Sequence, residues 1–215
     1  MNTPIIIHGR KTSSNVQTVM WAVAELDLEF KRIDVGGAFG GTDTAEYRAL
    51  NPMGLVPALQ DGNVSLFESC AIIRYLAARY GNEVFWPTDS AKRAELDQWA
   101  EWAKGTLARA VIYDIFWTLV RTPKKERDME AFASSVVNVG KLMQHLDKRL
   151  EGRDYLGGDQ ICFADIVAGH SLYRYYTLDF ERVETKHLDA YYKRLTQRPA
   201  YVEHVMVDYS SLQVD

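Results

Sequence analysis

The stretch GRKTSSNVQTVMWAVAEL, Gly9–Leu26, decides how the chain folds. Just before it, Ile5-Ile6-Ile7 is a short apolar run that reads as a strand ending at His8. Inside it, Val16, Val19, Met20, Val23 and Leu26 recur at three- and four-residue spacing, the period of an amphipathic helix. Between the two lie Thr12, Ser13, Ser14 and Asn15, four small polar side chains where one is enough to cap a helix. A strand that delivers the chain to a helix N-terminus leaves those side chains at the positive end of the helix dipole.

Working outward, Phe30–Val35 reads as a second strand, followed by the glycine-rich loop GGAFGGTD and a short helical piece from Ala45 to Leu50. In NPMGLVPAL the residues Pro52, Gly54 and Pro57 forbid a long helix. ALQDGNVSLF is a hairpin signal, two apolar runs joined through Asp61-Gly62-Asn63. ESCAIIRYLAARYG returns to helical spacing, with Ile72, Ile73, Leu76 and Ala77 inward and Gly81 as its stop. Beyond Gly81 the pattern changes. NEVFWPT is a linker carrying Phe85 and Trp86, and from Asp89 onward no strand is expected. Helical patterns run over about Ser90–Val120, Lys124–Leu150, Ala164–Tyr176 and His187–Gln197, broken at Thr122-Pro123, Gly157-Gly158 and Arg198-Pro199. The expected organisation is an α/β domain over residues 1–81, a linker over 82–88 and an all-α domain over 89–215.

With 215 residues the chain can bury a substantial core. Its formal net charge is -4, and the tightest basic run, Lys124-Lys125-Glu126-Arg127, is interrupted and reads as a solvated helix start, so a nucleic-acid partner is not expected. The first residues lack the basic and apolar regions of a secretory signal, and no stretch reaches transmembrane length. Cys70 and Cys162 lie far apart in apolar surroundings and read as buried, inert thiols of a cytoplasmic protein. The five histidines, 8, 145, 170, 187 and 204, have no metal-ligand spacing, and no metal is expected.

The order βαβ-ββα followed by helices, with SSNVQTV, NPMGLVPAL, ESCAIIRYLAARYG and GDQICFADIVAG in sequence, resembles the cytosolic glutathione transferases over nearly the whole chain. The resemblance implies an N-terminal thioredoxin-like domain and a C-terminal helical bundle, with glutathione as co-substrate. It implies a cis Val56-Pro57 bond, in a Leu55-Val56-Pro57 segment that offers the Val56 backbone to the cysteinyl backbone of glutathione as an added strand. It also implies that Ser69, a good N-cap, and the amides behind it take the γ-glutamyl carboxylate, while Glu68 faces the amino group.

Where redox members of the thioredoxin fold carry Cys-x-x-Cys, this chain has Ser13-Ser14-Asn15-Val16, so an intramolecular dithiol cycle is excluded. A hydroxyl donating to a bound sulfur favours the thiolate, the nucleophilic form. In serine-type classes (theta, phi and delta) the catalytic serine lies six residues before an apolar helix residue. Counting back from Val19 gives Ser13, with Ser14 as helix cap or one-position alternative and Asn15 as a second donor. Arg109, Tyr113 and Trp117, at four-residue spacing, form with Phe116 the expected electrophile pocket, and Tyr173, Tyr175 and Tyr176 are open alternatives for its far wall. Trp99 and Trp102 are assigned to packing.

Three positions depart from the pattern. Leu55 stands where a Lys, Arg or Gln commonly reaches the glycyl carboxylate, leaving Arg10, Lys11 or the Gly36–Gly41 loop to compensate. Cys70 follows Glu-Ser in place of Asn or Ala, and Cys162 replaces a capping Ser or Thr, so that Asp165 must satisfy the helix amides alone. The expected function is a serine-type, theta/phi-like glutathione transferase acting on a small hydrophobic electrophile, as a homodimer with Arg74 near the interface. The rivals are glutathione-dependent peroxide or disulfide reduction at the same site, and a non-catalytic binding module of the same fold.

Overall fold

A computed structural model describes residues 4–214. Strands β1 (Ile5–His8), β2 (Phe30–Ile33), β3 (Ala58–Asp61) and β4 (Val64–Phe67) form one sheet in the order β2-β1-β3-β4. β1 and β2 are parallel, Ile5 opposite Phe30, because helix α1 (Ser14–Glu25) crosses between them. β3 runs antiparallel to β1, and the Gly62-Asn63 turn returns the chain as β4, Ala58 opposite Phe67. Helices α2 (Ala45–Leu50) and α3 (Ser69–Tyr80) complete this half. This is the thioredoxin-like arrangement that the sequence resemblance implied.

The second half holds α4 (Ser90–Trp102), α5 (Met129–Leu150), α6 (Phe163–Gly169), α7 (Leu172–Thr177), α8 (Lys186–Leu195) and α9 (Pro199–His204). The expected single helix over 90–120 is not regular. After Trp102 its turns widen into π-helical stretches, Ala103–Leu107 and Ala110–Arg121. Ala103, Leu107, Val111 and Ile115 are buried at strict four-residue spacing, and Arg109, Tyr113, Trp117 and Arg121 are exposed at the same spacing. A four-residue repeat drifts off one face of an α-helix but stays aligned on a wider turn.

The expected helix start at Lys124 is a single 3-10 turn, Lys124–Glu126; α5 begins only after Asp128, whose carboxylate accepts the Glu130 and Ala131 N–H groups. One hydrophobic core runs through both halves, joining Ile7, Val19 and Ile73 to Leu107, Phe163 and Tyr201. Trp21 of α1 is fully buried and lies against Gly169 of α6, where an added Cβ would stand 2.9 Å from the indole. The Trp21 ring meets Tyr201 edge-on at 4.8 Å between centroids, and its Nε1–H donates to Glu25, which in turn pairs with Arg198. The C-terminal half of α1 is thereby fixed against the second half of the chain.

Candidate active site

β1 ends at His8, and Gly9 turns the chain toward α1 with φ of 150°. A Cβ there would stand 2.4 Å from Val16 and 3.2 Å from Val56, so only glycine lets the β1–α1 turn, the first turn of α1 and the Val56 segment meet. Ser13 follows as the N-cap residue of α1, with φ -79° and ψ 124°. Its carbonyl accepts the Gln17 N–H at 2.9 Å, yet its side chain makes no cap hydrogen bond. Ser13 is therefore a largely buried residue at a helix N-terminus whose hydroxyl stays accessible and lacks the occupation that a capping serine normally has. Ser14 is not the cap: it is the first residue of the helix, and its carbonyl accepts the Thr18 hydroxyl.

Two basic side chains from the second half converge on this turn. Lys104, in the first π-helical stretch, donates to Asn15 Oδ1 at 2.7 Å and to Ser69 Oγ at 3.0 Å. An ammonium only donates, so the Asn15 oxygen is fixed toward it and the Nδ2 amide is left as the outward donor. Arg174, buried in α7, donates to the Thr12 carbonyl at 2.8 Å and lies 4.5 Å from the Phe116 ring centroid. Gln17 Nε2 holds the Lys11 carbonyl at 3.0 Å. The backbone just before Ser13 is thus anchored by Arg174 of the second half and by Gln17 of α1.

The segment preceding β3 has the expected cis Val56-Pro57 bond. The Leu55 carbonyl accepts from both Tyr47 Oη at 2.6 Å and Asn51 Nδ2 at 2.7 Å, which fixes the approach to Val56. Among the described residues neither the N–H nor the C=O of Val56 has a backbone partner. At the start of α3, Glu68 is the N-cap residue with φ of 68°, a conformation that costs a non-glycine residue about 1–3 kcal/mol. Ser69, read from the sequence as the cap, is the first helical residue; it is buried, whereas Glu68 is exposed. Such strain gathers where the surroundings enforce a functional geometry.

Two family models match the chain: the N-terminal domain of glutathione S-transferase over residues 12–79 and the C-terminal domain over 108–199. The sequence is 37% identical over 208 residues to the glutathione S-transferase GstB of Escherichia coli, covering 96% of this chain and all of that protein. A glutathione S-transferase of Hyoscyamus muticus is 32% identical over 74% of this chain and 77% of its own length. Among solved structures, the theta class glutathione S-transferase of the citrus canker pathogen Xanthomonas axonopodis pv. citri, with glutathione bound, superposes with a TM-score of 0.89. It is 44% identical, over 97% of this chain and 99% of that one. The chain belongs to the glutathione S-transferase family. It is an enzyme of that family, with glutathione as its co-substrate.

In the transferase, Asn15 and Ser69 come together on Lys104, Ser13 lies at the N-terminus of the helix that carries Asn15, and Val56 packs against Gly9. Leu55 points outward, 64% exposed. Arg109, Tyr113 and Trp117 form an exposed stripe in which the two rings lie 5.0 Å apart, while Phe116 is buried beneath Arg174 and Tyr209. Tyr175 is buried and Tyr173 meets Tyr209 edge-on. Burial raises the Cys70 and Cys162 thiols, as expected of inert packing groups. The Cys162 N–H and thiol both donate to Asp165, which also accepts the Leu156 N–H and the Tyr191 hydroxyl. Arg74 is held by Asp97 and Glu101 of its own chain. Among the described residues no carboxylate, histidine and cysteine cluster could hold a metal ion, and no helix is long and apolar enough to cross a membrane.

Proposed function

We propose that this transferase activates the glutathione sulfur with the Ser13 hydroxyl and directs the thiolate at a small hydrophobic electrophile. The observation that carries the reading is Ser13, largely buried at the α1 N-terminus, with an accessible hydroxyl free of any cap hydrogen bond. A hydroxyl in that place donates to an anion, and the helix dipole adds to the stabilisation of the thiolate. Asn15 Nδ2 supplies the second donor. Val56 pairs its N–H and C=O with the cysteinyl backbone, while Leu55 and Pro57 shape that edge. Ser69 takes the γ-glutamyl carboxylate and Glu68 its amino group. The protein is a cytoplasmic homodimer in this reading, as the resemblance implies.

Ser13→Ala is expected to lower the fraction of bound glutathione present as thiolate, and turnover with it, by about tenfold or more, the worth of a hydrogen bond to a charged group. Stability should hardly change, because the hydroxyl caps nothing. Thiolate absorbance titrated against pH, with and without the substitution, makes the measurement. An equal loss from Ser14→Ala, with Ser13→Ala silent, would move the role by one position. Turnover of an organic hydroperoxide or a disulfide far above that of an aryl halide would instead favour reduction at the same site.

A further inference from the structure

Between the β1–α1 turn, the glycine-rich loop and the C-terminal tail lies a cavity of about 640 Å³. Arg10, Lys11, Arg32 and Arg121 line it against a single acid, Asp34. Asp34 is already neutralised by Arg32, Nη2 to Oδ2 at 3.1 Å. Lys11 faces Asp208, which accepts from both the N–H and the hydroxyl of Ser210. Arg10 and Arg121 form no ion pair among the described residues; Arg10 spends one N–H on Thr12 Oγ1 at 2.9 Å. Behind the turn, the buried guanidinium of Arg174 is likewise without a carboxylate among the described residues.

Among the described residues, three guanidinium groups, those of Arg10, Arg121 and Arg174, therefore gather around the turn that carries Ser13 with no carboxylate paired to any of them. Burial and then Arg121 lower Arg10, and burial and then Arg10 lower Arg174 to about 10. Like charges held close to one buried guanidinium are costly, and an anion placed between them recovers that cost. The exposed ring of Phe39 forms an apolar lip to the same cavity.

We propose that this cavity is the acceptor subsite, and that it selects electrophiles bearing a carboxylate, held by Arg10 and Arg121 beside Ser13. The inference rests on the thiol-transfer reading above and narrows its substrate class. All the residues assigned to glutathione there belong to the first half of the chain. The cavity is instead closed by Arg121 and by the tail residues Ser211–Val214, with the Val214 N–H bonded to the Val120 carbonyl at 3.0 Å. A carboxylate reaching the two arginines has two sources, the acceptor or the glycyl end of glutathione, and these are separable by experiment.

The probe pair is 4-chloro-3-nitrobenzoate and its neutral amide, 4-chloro-3-nitrobenzamide. With either, the thiolate forms a C–S bond at the chlorine-bearing ring carbon and the C–Cl bond breaks. Chloride leaves with the electron pair, the thiol proton having gone to solvent. The intact enzyme is expected to prefer the carboxylate over the carboxamide at least tenfold in kcat/KM. Arg121→Gln and Arg10→Gln should each erase most of that preference while KM for glutathione stays within about twofold. Equal turnover of the two acceptors by an enzyme that binds glutathione overturns the anionic subsite and leaves thiol transfer intact. So does a rise in glutathione KM with the acceptor preference unchanged, which assigns the arginines to the glycyl carboxylate. Failure to bind glutathione in a thermal-shift titration overturns both readings.

Discussion

Lys104 is the side chain through which the helical half touches the Asn15–Ser69 side of the site. By taking the Asn15 oxygen and the Ser69 hydroxyl oxygen, its ammonium sets which donor each residue has left for a ligand. Lys104→Met removes the charge but keeps most of the stem, so both polar side chains lose their fixed orientation without a large packing defect. KM for glutathione is expected to rise about tenfold, with a smaller change in kcat and an unchanged urea midpoint. A purely structural lysine would give the reverse, a lower midpoint and an unaltered KM. The caps of α1 and α3 were each read one position late, at Ser14 and Ser69. The cis Val56-Pro57 bond was legible from sequence because it belongs to a local motif whose neighbours declare its conformation. Lys104 was not, since it lies 89 positions from Asn15 and its own helix presents it as an ordinary polar residue. Arg174 did leave a signal: it is a cation in the otherwise apolar and aromatic run SLYRYYTL, where an unpaired charge is seldom buried without purpose.

Among the elements, the first domain was readable strand by strand because short runs there are separated by Gly, Pro and Asp-Gly-Asn signals. The helical half was readable in number more than in form. Widened turns after Trp102 leave no trace in an apolar run scanned for a helical period, although the four-residue spacing of Arg109, Tyr113 and Trp117 was itself the sign. Helix α9 went unread because it spans only six residues, and Pro199, taken as a break, sits in its first turn where a missing N–H costs nothing. The α1–α6 crossing also depends on one position that sequence alone does not explain. An alanine at Gly169 would bring its Cβ within 2.8 Å of Leu195 and 2.9 Å of Trp21, both fully buried. Gly169→Ala is expected to destabilise the protein by about 1–3 kcal/mol, the usual cost of overpacking a core, as read from the urea midpoint. An unchanged midpoint would mean that the two helices separate freely, contrary to the packing described.

At the scale of the whole molecule the two halves share one core, so acid should unfold them together, and His170 sits where they join. It is fully buried between α6 and α7, with Nδ1–H donating to the Val167 carbonyl at 2.7 Å. Burial, with a smaller contribution from the Lys104 charge, lowers it from 6.5 to about 3. The folded state therefore binds fewer protons than the unfolded state between those values, and stability rises with pH across that window. From pH 7 down to 4.5 this group alone should remove about 2–3 kcal/mol. His204, also lowered by burial, acts in the same direction, whereas Asp165, raised by burial, acts against it at the acid end. Comparing the protein with His170→Asn isolates the effect, because asparagine keeps a donor for Val167 and has no charge to gain. Whatever packing the substitution loses at pH 7, the variant should lose less further stability on going to pH 4.5, by about those 2–3 kcal/mol. Parallel stability curves for the two proteins over that range would show that His170 takes up its proton without opening the junction between the two halves.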